Sequence, residues 1–193
     1  MKKKITITFV VFVGIISVWF YFFHKVNKKI PQAQRIEVCE NESMLIDDIE
    51  FQVNTTKIYD YEELIRAYEK AGNLEWYQRY NEEYGLSFIF AEMTMKNIGS
   101  EDKTVNAYDF VIGTLTGSNG MSMDLFEIAN NSIELMSPTI KSGEEVTVIL
   151  TFSYVNGYIN GDLYKKGKME DEEFELILSL YPVRRSIHLN VYE

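Results

Sequence analysis

The stretch IEFQVNTTKI, residues 49–58, sets the fold class. Ile49, Phe51 and Val53 alternate with Glu50, Gln52 and Asn54, and the run continues through Thr55, Thr56 and Ile58. A period of two puts one set of side chains on one face, so the stretch predicts a half-buried β-strand. The same pattern recurs at 146–154, where Val146, Val148, Leu150 and Phe152 alternate with polar or smaller residues. Between them, LSFIFAEMTMKN (86–97) places Phe88, Phe90, Ala91, Met93 and Met95 in a further strand that ends at the turn Asn97-Ile98-Gly99-Ser100.

Working outward, residues 105–115 read as a second long strand. Ser118-Asn119-Gly120 is a hairpin signal leading into a strand at 121–126. Ile133, Leu135 and Met136 predict a short strand before Pro138, and Lys141-Ser142-Gly143-Glu144 a turn. Residues 174–181 predict a strong strand stopped by Pro182, with 187–191 as an edge. One helical insertion, 60–84, interrupts the series. Asp60 is its N-cap and Glu63 stands at the capping-box position, with Leu64, Ile65 and Tyr68 as the apolar stripe and Gly72 as the stop. Asn73 caps a second short helix closed by Gly85. Seven or eight short strands separated by turn signals predict a mainly β protein, an immunoglobulin-like β-sandwich with a short helical insertion. The expected core is Phe51, Phe88, Phe90, Val148, Leu150, Phe152, Leu176, Leu178 and Leu180.

The 193 residues are 46% hydrophobic, enough for one core and short for two. Cys39 has no partner for an intrachain disulfide, which excludes a disulfide-stapled scaffold; it reads as an inert thiol in preference to a crosslink between protomers. Charge is split along the chain. Residues 1–36 hold seven basic and no acidic side chains, whereas 37–193 hold 12 basic against 29 acidic, a net −17. Such a domain repels phosphate backbones, so no nucleic acid is expected as a partner.

The N-terminus predicts a membrane anchor. Lys2, Lys3 and Lys4 precede an uncharged run at 5–23, ITITFVVFVGIISVWFYFF. Nineteen residues at about 1.5 Å each reach roughly 28 Å, close to the hydrocarbon thickness. Thr6, Thr8 and Ser17 are tolerated because a helical hydroxyl bonds back to its own backbone. Trp19, Tyr21, Phe22 and Phe23 crowd the far end, where amphipathic rings settle at headgroups. A cleaved signal peptide would have a shorter apolar core and small residues after it; here bulky rings and His24-Lys25 follow. The expected organisation is therefore a cytoplasmic tail at 1–4, a transmembrane helix at 5–23, a basic linker at 24–43 and an extracytoplasmic domain at 44–193.

Three stretches carry a resemblance to short, single-anchor membrane proteins of Gram-positive bacteria with an immunoglobulin-like domain of unknown function. They are the lysine-led anchor with its Lys/Pro linker, the helical stretch 60–84 entering an alternating strand, and Ser142-Gly143-Glu144 followed later by Leu178-Ser179-Leu180-Tyr181-Pro182 with Arg184 and Arg185. The resemblance implies an extracytoplasmic sandwich and carries over no catalytic residue. The chain departs from lipoprotein relatives in lacking a cysteine directly after the apolar run.

Catalytic signatures are missing: there is no Gly-x-Ser-x-Gly, phosphate-binding glycine loop, His-Glu-x-x-His or Cys-x-x-Cys. His188 has no acid near it in sequence. Asp47, Asp48 and Glu50, and the run 170–173, lack the spacing of a calcium loop. The loop NGYINGD (156–162) offers carbonyls, amides and one carboxylate for a weak calcium, but reads better as a solvated turn. No metal and no cofactor is expected. The aromatics Tyr68, Trp76, Tyr77, Tyr80 and Tyr84 form the candidate binding site, with Trp76, Tyr80 and Tyr84 at i, i+4 and i+8 on one helix face. The plainer alternative is that they pin the insertion to the sandwich. The expectation is a non-enzymatic recognition domain for a protein or peptide at the cell surface. A divalent-ion or cell-wall-ligand module and an unrecognised hydrolase are the alternatives.

Overall fold

The stretch at 49–58 is the middle of strand β3 (Ile49–Asp60), antiparallel to β4 (Leu86–Asn97) along its whole length. The structure, a computed structural model, describes residues 2–29, 33–68, 74–114, 117–155 and 173–192. The chain divides into two units, Met1–Gln34 and Arg35–Glu193.

The first unit carries a 28-residue helix, α1 (Lys2–Lys29). Ser17 Oγ donates to Val13 O at 2.9 Å, satisfying the hydroxyl within its own helix. Among the described residues no helix is long and apolar enough to cross a membrane. The helix over 5–23 is present, and its reading as a transmembrane span rests on the sequence.

The second unit is a β-sandwich. One sheet runs β12 (Val191–Tyr192), β3, β4 and β9 (Glu145–Val155), with β2 (Ser43–Ile46) also paired to β3. The other runs β1 (Gln34–Cys39), β11 (Val183–Leu189), β10 (Phe174–Ser179), β6 (Val111–Gly113) and β7 (Ser118–Gly120). A separate pair joins β5 (Lys103–Thr104) to β8 (Thr139–Ile140).

The main core lies between the two sheets. Ile49, Phe51, Val53, Ile89, Met93, Leu150 and Phe152 meet Phe110, Ile112, Phe174, Leu176 and Ile187 there. A bulge at Asn54 adjusts β3: Val53 pairs with Met93 but Thr55 pairs with the next residue back, Glu92. The extra residue shifts the inward set from odd to even numbers, which is why Thr56 is buried. Three helices, α2 (Tyr61–Tyr68), α3 (Glu75–Tyr84) and α4 (Met123–Asn130), build a second core on the other face of β4. Leu64, Tyr77 and Leu125 pack there against Leu86, Phe88 and Phe90. With both faces covered, residues 86–91 of β4 are all buried, hence the nearly continuous apolar reading LSFIFA.

The capping box forms as expected. Asp60 Oδ1 accepts from Glu63 N at 2.8 Å, and Glu63 Oε2 accepts from Asp60 N at 3.0 Å. Replacing Asp60 by Ala is expected to cost about 1 kcal/mol, read as a lowered urea midpoint with an unchanged slope.

Elsewhere the structure corrects the reading. The long strand expected at 105–115 is broken into β5, a 3-10 turn at Ala107–Asp109, and β6. The turn brings Val105, Ala107, Phe110 and Ile112 all inward, although their spacing of two, three and two fits no single strand. Residues 121–126 are not a strand: Met123 begins α4, whose Leu125, Phe126, Ile128 and Ala129 follow a helical period. Ile133–Met136 is a 3-10 turn with Ser132 Oγ accepting from Glu134 N at 3.2 Å. Leu180 leaves the core list. β10 bulges at Leu178 and ends at Ser179, so Leu180 and Tyr181 lie in the turn to β11, 62% and 70% exposed. The strand expected as an edge at 187–191 is mostly β11, flanked on both sides by β1 and β10. The linker expected at 24–43 ends early, because 34–39 form β1. Gly72, Asn73 and residues 156–172 lie outside the described residues.

The free edge of β9 is closed by polar groups from α4 and the segment before it. Asn130 donates to Ile149 O at 2.9 Å and accepts from Ile149 N at 2.8 Å. Ser122 N donates to Thr151 O at 2.8 Å, and the Asn119 amide donates to Ser153 O. An unpaired strand edge is thereby capped without another strand.

Candidate functional site

The aromatic residues of the insertion divide between packing and surface. α3 starts at Leu74, whose carbonyl accepts from Tyr77 N and Gln78 N at 3.0 and 3.2 Å. It ends at Gly85, whose φ of 66° is a left-handed conformation that glycine adopts without strain. Gly85 N donates to Asn81 O, and Asn81 Oδ1 accepts from Leu86 N, each at 2.9 Å, so the helix end is tied directly to β4. This anchoring fixes which face turns inward.

Tyr77 faces in, 5% exposed, edge-on to Phe88 with centroids 5.5 Å apart. Its hydroxyl meets Ser122 Oγ at 2.6 Å. Burial pushes its phenol above the usual value; the bond to Ser122 opposes this and the charge of Asp124 adds to it. Tyr68, on α2, packs against Phe90 and Tyr59 at 5.4 and 6.3 Å, and burial raises its phenol too, reinforced by Tyr59. These two are packing residues.

Trp76, Tyr80 and Tyr84 face out, 59%, 39% and 48% exposed. The i, i+4, i+8 spacing makes them a continuous row. Trp76 and Tyr80 lie 4.4 Å apart with planes tilted by 30°, and Tyr80 and Tyr84 5.8 Å apart. Trp76 also stands perpendicular to Tyr77, at 89° and 5.1 Å. This ridge forms one wall of a cleft of about 490 Å³, which takes in Trp76, Tyr77 and Tyr80 but neither Tyr68 nor Tyr84.

Opposite stand Ser118 and Asn119 of β7, with Thr114 and Gly117 of the β6–β7 turn and the end of β9 at Ser153–Val155. Tyr154 hydroxyl donates to Ile112 O at 2.8 Å, and the Asn119 amide is held on Ser153 O. Among the described residues, no Asp, Glu, Lys, Arg or His lines the cleft. It combines aromatic faces with hydroxyl and amide groups, the usual composition of a small-ligand site. Sequence reasoning found the aromatic wall and missed the other. Ser118-Asn119-Gly120 reads locally as a turn, and nothing near it in sequence signals that it faces α3.

His188 acquires acids that its sequence neighbourhood lacks. Its Nε2 lies 3.5 Å from Glu37 Oε2 across β1 and β11, and it pairs in register with Glu175 on β10. The ligand atoms of the three lie within 4.8 Å of one another. Arg184 holds Glu175 at 2.7 Å, so the cluster is a ladder of polar and ion-paired side chains across three strands. Cys39 is exposed and free.

The sequence pattern of DUF5028, a domain of unknown function, matches residues 23–185. The chain belongs to this family. The DUF5028 match runs from the last part of α1 into β11 and includes both walls of the cleft. No curated protein matches the chain. Solved structures that resemble this DUF5028 member include the following three. An uncharacterized β-sandwich protein of Clostridium difficile is 14% identical, with a TM-score of 0.44 over 81% of this chain and 95% of that one. The yjhA protein of Bacillus subtilis is 15% identical, with a TM-score of 0.42 over 79% and 98%. A functionally unknown protein of Listeria monocytogenes is 15% identical, with a TM-score of 0.44 over 72% and 71%.

Proposed function

We propose that the protein is a membrane-anchored, extracytoplasmic recognition domain, non-enzymatic, that binds a peptide segment of a surface protein in the aromatic cleft. The observation that carries the reading is the exposure of Trp76 and Tyr80 above a concave, hydroxyl-rich wall with no charged side chain among its described residues. Large rings left in water at a rigid cleft cost solvation that packing would have relieved, and such rings dominate recognition surfaces.

Two further readings join it. Strand order supports an immunoglobulin-like sandwich: β3-β4-β9 against β11-β10-β6-β7 follows the A-B-E and G-F-C-C′ order of that fold. The anchor is supported by α1, where Phe12, Ile15, Val18, Trp19, Phe20, Tyr21, Phe22 and Phe23 are each more than half exposed. A helix apolar on all sides needs a nonpolar surround, and lipid supplies it. Protease treatment of intact protoplasts is expected to digest the domain and spare a short anchored fragment; a protected domain overturns the orientation.

The cleft is tested with a photo-crosslinking residue in place of Ser118. Irradiating intact cells is expected to yield a discrete adduct that Trp76→Ala abolishes at equal protein level. An adduct indifferent to Trp76, or none, removes the cleft as the recognition site.

A further inference from the structure

Resting on the reading of α1 as a membrane anchor, we infer that the β10–β11 turn, Leu180-Tyr181-Pro182, seats in the headgroup layer of that bilayer. The partner of this surface is lipid. Leu180 and Tyr181 are 62% and 70% exposed, the two most exposed large apolar side chains among the described residues of the second unit. Ser179 Oγ donates to Val183 O at 3.1 Å and closes the turn beneath them, so both are held outward on a fixed support. A leucine beside a tyrosine, one apolar throughout and the other polar at its tip, suits the boundary between water and hydrocarbon.

Strand direction places the turn. β1 ends at Cys39, and the N–H of the next residue, Glu40, donates to His188 O at 2.9 Å. The ends of β1 and β11 therefore lie together, and as neighbours in one sheet the two strands run the same way. Their starts lie together too, so the β10–β11 turn stands beside the point where the chain enters the domain. Residues 30–33 are all that separates α1 from β1. The five peptide steps from Lys29 to Gln34 reach at most about 18 Å. An anchored α1 thus keeps the start of β1, and the turn beside it, close to the headgroups.

Other groups at this end of the sheet fit the same partner. Ile36 on β1 is 46% exposed, and Tyr108, just before β6, is 53% exposed. Val111, which opens β6, pairs with Ile177 near the end of β10, so Tyr108 belongs to this end. Arg35 at the start of β1 and Arg185, opposite Ser179, supply guanidinium groups for lipid phosphates. Charge also selects the corner that docks. β12 continues β11 and runs parallel to β3, so the Asp47-Asp48 turn that opens β3 lies at this end under the other sheet. Anionic lipid repels that turn and leaves the contact to the β10–β11 corner. Gly113 pairs with Glu175 at the far end of β10, so Thr114 and Gly117 of the cleft lie away from the docked turn. The cleft then faces outward from the cell.

The test uses the full chain with its sole cysteine replaced, Cys39→Ser, in vesicles of phosphatidylcholine and phosphatidylglycerol that carry nitroxide lipids. A fluorophore is attached at Tyr181→Cys, Ser118→Cys or Ile15→Cys, one to a sample. A headgroup nitroxide is expected to quench the label at 181 and spare the label at 118. Adding Leu180→Asp should cut quenching at 181 by at least about threefold with an unchanged melting temperature, because the apolar contact is lost. Quenching at 181 no stronger than at 118, or indifferent to Leu180→Asp, overturns the inference. The label at 15, read with an acyl-chain nitroxide, reports the anchor separately. Quenching at 15 without quenching at 181 would sink the docked turn and keep the anchor. No quenching at 15 would sink both.

Discussion

Replacing Phe152 by Ala is expected to lower the stability of the domain by about 3–5 kcal/mol. Phe152 is fully buried near the middle of β9, opposite Ile89 of β4, in the core between the two sheets. Its neighbours sit on long paired strands, so the surrounding backbone cannot collapse into the space. β4 is held on one side by β3 over eleven paired residues and on the other by β9 over eleven. The cavity term is therefore added to the lost transfer free energy without much relief. A domain of this size has roughly 5–15 kcal/mol in total, so the loss is a large fraction of it. Urea unfolding followed by circular dichroism reads it directly. A cost below about 1 kcal/mol would mean that the sheets do not close over this residue.

The strands that the sequence shows best are those with one dry face and one wet face. β3 and β9 alternate because their outer residues meet solvent or the half-open helical layer, and the inner ones meet the second sheet. β4 was legible for a different reason, as an apolar run between two cores. The failures share a cause too. Phe110 and Leu125 take their places from tertiary partners: a 3-10 turn rotates Phe110 inward, and Leu125 closes a core whose other members come from α2, α3 and β4. The pattern over 105–126 reads locally as strand, and packing overrides it with a 3-10 turn at Ala107–Asp109 and the helix α4. The capping box at Asp60 was readable because all its atoms lie within four residues. The second wall of the cleft was not, because Asn119 reaches Ser153 across 34 residues. The same distinction explains Asn97. It reads as a turn residue, yet it is fully buried, its amide donating to Glu101 O and Ile140 O at 2.7 and 2.9 Å while its Oδ1 accepts from Gly99 N.

Two adjacent residues of α3 are expected to behave oppositely. Tyr77→Ala should cost about 3–5 kcal/mol, as for a buried aromatic, whereas Trp76→Ala should stay within about 0.5 kcal/mol of the parent. Tyr77 fills the second core beside Leu64, Leu86 and Phe88, and its loss also strands the hydroxyl of Ser122. Tyr77→Phe isolates that hydrogen bond and should cost about 0.5–1.5 kcal/mol. Alkaline titration gives an independent check on the burial. The phenol of Tyr77 is raised in the folded state, so its contribution is complete below the unfolded value of ~10 and is lost as pH climbs through the folded value. The parent should therefore lose more stability above pH ~10 than Tyr77→Phe does. Trp76 has no such role: its ring rests mainly on Tyr80 and Tyr77 and is otherwise open to water. Thermal melts of the three variants, beside capture measured per folded molecule, separate the two functions of the helix. If Trp76→Ala destabilises as much as Tyr77→Ala, the outer row is packing and the cleft loses its claim. If it leaves the melt unchanged and abolishes capture, the inner face of α3 holds the fold and the outer face holds the ligand.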